Sequence, residues 1–237
     1  MVLFLIAIAS FIGMHKANPN SAPLPLHIEF DAGVLAVSGK NNTQNFNTNL
    51  DSQYDFGHNT LKVFGDYLKS STESVDSALH WTAGARYENE FIPASRLYLE
   101  YYSEADPFIG YVQRNNEGLG YQYAIHKDST VLWWAELGYL HSSTNIIRQD
   151  SVYESKARFA SGASWRFDKF WYLEGKLEYL FNLSFVNEDL MNYEFALTSL
   201  INSTLALRTA YLMRFMETPY QGSRYQGTTT LSLVATF

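Results

Sequence analysis

The six histidines are where catalytic chemistry would be expected first: His15, His27, His58, His80, His126 and His141. A nucleophilic hydrolase needs a Ser within hydrogen-bond reach of a His. His141-Ser142-Ser143 brings those residue types together, yet adjacent residues on a strand point to opposite faces. His80 and His141 fall near the outward ends of predicted strands, His58 and His126 in predicted short turns, and His27 at the start of the first strand. The carboxylates Glu104, Asp106, Asp150, Glu188 and Asp189 fall in predicted outward loops. There they are available to a surface hydrolase with His141, to solvent, or to divalent cations that bridge lipopolysaccharide. No G-x-S-x-G elbow occurs, no His pair sits at zinc spacing and no Ca²⁺-loop motif is present. There is no Cys, which removes disulfides, thiolate chemistry and cysteine-ligated zinc. The expectation is a chain with no catalytic residues, no metal and no cofactor.

The charged residues are more informative, because they are sorted. In Arg96-Leu97-Tyr98-Leu99-Glu100-Tyr101-Tyr102, the leucines and Tyr101 share one face and Arg96, Tyr98 and Glu100 the other. Tyr172 to Tyr179 repeats the pattern, with Leu173, Leu177 and Tyr179 opposing Glu174, Lys176 and Glu178. From Leu205 to Phe215, apolar residues oppose Arg208 and Arg214. A period of two with aromatic enrichment defines half-buried strands. Extending that parity puts Arg86, Glu88, Arg96, Glu100, Glu136, Lys156, Arg158, Glu174, Lys176, Glu178, Glu194, Arg208 and Arg214 on one common face. Gly118, Gly120 and Gly162 share that face, as sites of local widening or of bends.

About twelve such strands can be placed, centred near Ala32, Asn49, Val63, Ala83, Leu99, Gly120, Leu137, Phe159, Leu177, Phe195, Tyr211 and Ser232; ten and fourteen are the alternatives. Short connections near Gly57, Pro93, Asp128, Asp168 and Asn202 alternate with longer ones near Ser70–Ser77, Ser103–Tyr111, His141–Ser151, Asn182–Met191 and Met216–Tyr225. Only Gly39–Thr43 is short where length is expected. Such alternation belongs to antiparallel transmembrane β-barrels, with tight turns at one rim and loops at the other.

Aromatics gather at strand ends. Tyr54, Tyr121, Trp133, Trp165 and Trp171 lie near the short turns, and Trp81, Tyr101, Tyr139, Tyr179 and Phe215 near the long loops. Two such rings would sit at the two water–lipid boundaries of a barrel. The apolar face between them would meet lipid and the charged face would line a lumen. There the charges either set the selectivity of a narrow pore or brace one another and fill it.

The 237 residues carry a net charge of −7 and no basic run, which excludes a nucleic-acid partner. The one long apolar run, Val2 to Met14, is too short for a membrane helix and suits a signal peptide. Residues 1–22 are therefore assigned to a signal peptide and lead-in, and residues 23–237 to the barrel. The chain ends on an alternating strand with Leu231, Leu233, Ala235 and Phe237 on one face. A terminal Phe in that setting resembles the C-terminal signal that outer-membrane barrels present to their insertion machinery.

The order of Ala85-Arg86-Tyr87-Glu88-Asn89-Glu90-Phe91, Asp106-Pro107-Phe108 and Arg114-Asn115-Asn116-Glu117-Gly118-Leu119-Gly120-Tyr121 resembles the YdiY-like family, the salt-induced outer-membrane proteins of domain of unknown function 481. The turn Gly39-Lys40-Asn41-Asn42-Thr43 is similar to an early turn of that family. The resemblance covers nearly all of the mature chain. It implies a barrel in the bacterial outer membrane and supplies no catalytic residues. The functional expectation is a narrow passive channel for small polar solutes or a structural envelope protein. A binding role through the outward loops comes second and an outer-membrane hydrolase third. The expected partners are outer-membrane lipid, lipopolysaccharide and the insertion machinery, around a monomer.

Overall fold

The computed structural model describes residues 25–37, 43–73, 75–185, 188–218 and 224–236. Residues 1–22, which the sequence assigns to a signal peptide and lead-in, the Gly39–Thr43 turn apart from Thr43, and Phe237 lie outside them.

Alternating sequence becomes twelve antiparallel strands: β1 (Leu26–Val37), β2 (Thr43–Phe56), β3 (Asn59–Thr72), β4 (Val75–Ile92), β5 (Ser95–Asp106), β6 (Tyr111–Lys127), β7 (Val131–Ile146), β8 (Val152–Arg166), β9 (Trp171–Asn182), β10 (Leu190–Leu200), β11 (Leu205–Met216) and β12 (Tyr225–Thr236). Each predicted centre falls within its own strand. Every strand pairs with its neighbours in sequence, and β12 closes on β1 through Ala32↔Leu233 and Asp31↔Val234. Closure leaves no open edge, the condition under which strands can cross a bilayer.

The parity of the sequence survives as inside and outside. Leu99 is 61% exposed and Leu137 62%, while Arg86 and Glu136 are each 1% exposed. Lipid solvates the first pair, and the barrel interior encloses the second. So much exposed Leu, Phe and Tyr around a closed sheet matches a membrane-embedded wall.

The connections are shorter than the sequence suggests. Ser70–Ser77 was expected to be a long loop; instead β3 runs to Thr72 and β4 starts at Val75. Glu73, at φ 52°, makes the tight reversal, and Ser and Thr, read as loop formers, continue the ladder. The β7–β8, β9–β10 and β11–β12 connections are the longer ones, and with β5–β6 they form the bulkier rim (the loop rim), opposite the turn rim. Glu104 and Asp106 are likewise not loop acids. They end β5, face the lumen and are buried. His126 belongs to β6 rather than to a turn.

Five register shifts lie toward the ends of β3 to β7, at Ser70/Ser71, Glu90/Ile92, Glu104/Asp106, Tyr111/Gln113 and Ala124/His126. A bulge inserts one residue and re-aims those beyond it. The shift at Tyr111/Gln113 turns Tyr111 inward although its odd number would place it outside; it is fully buried.

At the turn rim the chain uses one repeated device. Asp128 Oδ1 accepts from the N–H groups of Thr130 and Val131, Asp168 Oδ1 from Phe170, and Asn202 Oδ1 from Thr204 and Leu205. Side-chain carbonyls of Asx residues thus satisfy turn amides that no strand partner reaches.

Candidate functional site: a charged and filled lumen

The inner face of the middle strands carries a connected ionic web. Arg86 on β4 reaches Glu136 on β7 in bidentate fashion, Nη2–Oε1 at 2.7 Å and Nη1–Oε2 at 3.2 Å. Its Nη1 also donates to Glu100 at 3.4 Å. Its Nε lies 2.8 Å from Glu88 Oε1, a Coulombic contact without hydrogen-bond alignment. Glu88 in turn accepts from Lys62 at 2.8 Å and from Arg96 at 2.9 Å. Arg158 on β8 donates to Glu178 at 2.7 Å and to Glu100 at 2.8 Å, and lies 3.6 Å from Glu136. The Arg86–Glu136 and Arg158–Glu100 bonds each pass over two intervening strands, so they brace the wall from inside.

Neutral groups complete the web. Gln122 donates to Glu136 at 2.8 Å, and Asn192 to Glu178 at 2.7 Å. Tyr98 lies under both arginines. The Arg86 guanidinium is 3.8 Å from its ring centroid, and Arg158 donates to its hydroxyl at 3.3 Å. Desolvated charges are tolerable only when paired and hydrogen-bonded on this scale.

The inward glycines make room for these side chains. A Cβ on Gly120 would sit 2.5 Å from the Tyr98 hydroxyl, and one on Gly138 would also meet that hydroxyl. At Gly118 it would meet Glu100 Cγ at 2.6 Å, and at Gly162 Trp134 Cζ2 at 2.5 Å. Gly118, Gly120 and Gly162 read from sequence as widening or bending points; the space a side chain would take there holds a large neighbour.

Toward the loop rim, an apolar cluster of Leu68, Ala78, Ile109, Tyr111, Leu140, Leu180, Leu190 and Met216 caps the web. The Asp106-Pro107-Phe108 segment folds Ile109 inward to 1% exposure. Asp106 Oδ1 accepts from the amides of Phe108 and Ile109 at 3.1 and 3.2 Å, which fixes the turn. Its other oxygen lies 3.6 Å from Nδ1 of His80, whose Nε2 is 3.3 Å from Asp66. Below the cap, Glu104 receives Arg114, Asn116 and Tyr111. Lys156 pairs with Glu154 at 3.0 Å, and Arg214 donates to Asn192 at 3.1 Å. Between cap and web a cavity of about 30 Å³ remains, bordered by Tyr102, Arg158 and Glu178. That is space for about two waters.

Toward the turn rim the interior is more open and more acidic. Arg208 contacts Glu194, Glu174 and Glu29 at 3.1, 3.5 and 3.7 Å, with Lys176 on the same inner face of β9.

Thus the structure gathers Arg86, Glu88, Arg96, Glu100, Glu136, Arg158 and Glu178 into one web, and Glu174, Glu194 and Arg208 into a second cluster. Lys156, Lys176 and Arg214 are buried on the same inner surface. Sequence reading set Tyr98 on the face of Arg96 and Glu100 without singling it out as a lumen residue, and missed His80, Ile109 and Tyr111 as lumen fillers. The parity of Tyr98 with Arg96 and Glu100 was a usable signal. The inward turn of Tyr111 had none, because a bulge produces it. The aromatics Tyr54, Tyr101, Tyr121, Trp133, Tyr139, Trp165, Trp171 and Tyr179 are exposed on the outer surface, with Trp81 and Phe215 less so. His141 is also on the outer surface, whereas Ser142 is buried inside. Among the described residues, no cluster of His and carboxylates is arranged to hold a metal ion.

A closed, twelve-strand antiparallel sheet with a lipid-type exterior and a charged interior is the fold of a bacterial outer-membrane β-barrel. Within that class, the chain belongs to the DUF481 family of proteins of unknown function, whose profile matches residues 30–237. Among curated proteins, none matches it in sequence. Its fold is similar to that of an outer-membrane channel from Pseudomonas putida F1, at 12% identity, a TM-score of 0.55, and coverage of 94% of this chain and 100% of the other. It is also similar to the NanC porin, at 7% identity, a TM-score of 0.54, and coverage of 90% and 98%.

Proposed function

We propose that the protein is a narrow passive channel for small polar solutes in the outer membrane, closed in the conformation described. One observation carries this reading: among the described residues, the lumen is blocked by side chains and one short turn. Twelve strands enclose more than the eight whose interior side chains simply fill, and fewer than the 16–18 of a wide aqueous pore. The interior of such a barrel would be lined by charge of both signs, as here. The two barrels of similar fold are described as a channel and a porin, in keeping with this reading. It assigns no catalysis, because His141 and Ser142 lie on opposite sides of the wall.

The completeness of the Arg86–Glu136–Arg158–Glu100 pairing favours a second reading, a structural envelope barrel that never conducts. Purified protein in planar bilayers distinguishes the two. A channel gives infrequent ohmic steps whose ion selectivity changes in Arg158→Gln. The absence of steps at every applied voltage, in wild type and variant alike, leaves only the structural role.

A further inference from the structure

Arg214 is a buried guanidinium that the ionic pairing leaves out. It lies on the inner face of β11 and is only 5% exposed. Its Nε donates to Asn192 Oδ1 at 3.1 Å, but its buried Nη1 has no hydrogen-bond acceptor. Gln226 sits directly across on β12, yet its amide oxygen takes no hydrogen bond from Arg214. All the Asp and Glu side chains of the chain are among the described residues, and none of them forms an ion pair with Arg214. A desolvated charge without a counter-charge is costly. An anion taken from solution would relieve it.

The space beside Arg214 sets the size of that anion. Arg214 borders the cavity of about 30 Å³ between cap and web. The other cations on this cavity are engaged. Arg114 lies 3.4 Å from Glu104, Lys156 lies 3.0 Å from Glu154, and Arg158 lies 2.7 Å from Glu178. The bordering carboxylates are equally occupied. Glu104 also accepts from Asn116 and Tyr111, and Glu178 from Asn192. Room for about two waters admits a monatomic anion with one water, and is too small for a phosphate or a sugar acid. Phe64, Leu140, Leu180 and Leu190 form the apolar part of the lining, which favours a weakly hydrated ion over a strongly hydrated one.

We propose that this cavity binds one halide ion, with Arg214 Nη1 as the donor and the Arg214 guanidinium as the counter-charge. The ion completes the pairing of the inner face at the one arginine that no carboxylate reaches. It sits between cap and web whether or not the lumen opens, so the site stands or falls independently of conduction.

The test joins two measurements on wild type and Arg214→Gln. Anomalous diffraction from crystals grown in sodium bromide locates the ion. Urea unfolding in micelles, in sodium chloride or sodium gluconate at equal concentration, reads its contribution to stability. Wild type should show one bromide peak beside Arg214 and unfold at a higher urea midpoint in chloride than in gluconate. Arg214→Gln, checked as folded by heat-modifiable gel migration, should lose both the peak and the chloride-dependent shift. Should that variant not fold, the two wild-type measurements decide alone. Water alone in the wild-type cavity, equal wild-type midpoints in the two salts, or a peak or midpoint shift unchanged in Arg214→Gln overturns the proposal.

Discussion

Arg86 and Glu136 show what a buried charge requires in this barrel. Each is nearly inaccessible, and each satisfies its partner twice over. Removing one member strands the other, at a cost of about 3–5 kcal/mol for a buried pair. Glu136→Ala should therefore destabilise the barrel by about that amount in urea unfolding from micelles, since Arg86 and Gln122 lose an acceptor and Arg158 a nearby counter-charge. Removing both members, as in Arg86→Ser with Glu136→Ser, should cost less than Glu136→Ala alone, because Glu88 keeps Lys62 and Arg96, and Glu100 keeps Arg158. A double variant weaker than the single would show that the pair does not act as a unit. The turn residue Asp128 behaves differently because it is solvent-exposed. The amides of Thr130 and Val131, followed by His126, hold its carboxyl well below the usual carboxylate range. A depressed folded-state pKa stabilises at pH values above the unfolded one and ceases to do so as pH falls through the folded value. Protection of the Thr130 and Val131 amides from hydrogen exchange should accordingly persist from neutral pH to below pH ~4 in wild type and be lost throughout that range in Asp128→Ala.

At the scale of strands and turns, glycine and large residues are matched. Gly162 lies under Trp134, so Gly162→Ala alone should cost about 1–3 kcal/mol of overpacking, and Trp134→Leu should abolish much of that cost in a double-mutant cycle. Additive effects would mean that the two sites do not share space. The β4–β5 turn holds Ala94 at φ 68° after Pro93, a position that favours Gly. Ala94→Gly should raise stability by up to about 1 kcal/mol, read from the unfolding midpoint. The strands themselves were legible in the sequence, since Leu97, Leu99 and Tyr101 alternate with Arg96, Tyr98 and Glu100 under one simple rule. Turn lengths were less legible. Ser70 and Ser71 read as loop by composition, yet they pair across β3 and β4 because a ladder in a closed barrel continues wherever its partner does. Residues beyond a bulge, such as Tyr111, were not legible, because the added residue inverts the parity on which the reading depends. Glu104 and Asp106 keep the inward parity of Arg96, Tyr98 and Glu100; their position was hidden because Ser103–Tyr111 reads as loop by composition, whereas β5 runs on to Asp106.

For the whole molecule, closure of β12 on β1 turns a sorted sequence into two environments. Each strand contributes apolar residues to the wall and polar residues to the lumen, so the fold and the site arise from the same alternation. Sequence parity sorts the charges by face. It did not show which of them meet, because Arg86 to Glu136 and Arg158 to Glu100 are contacts across a curved interior, set by strand stagger. Whether the protein conducts therefore depends on whether that web is a gate. The most direct measurement is single-channel conductance of wild type against the balanced Arg86→Ser/Glu136→Ser variant, both verified as folded. A web that gates the lumen gives rare, small ohmic steps from wild type, and frequent, larger ones from the variant, in which one of the two braces across the middle strands is gone. Indistinguishable conductance from the two proteins, or a wild type that stands open at rest, would contradict a gating role.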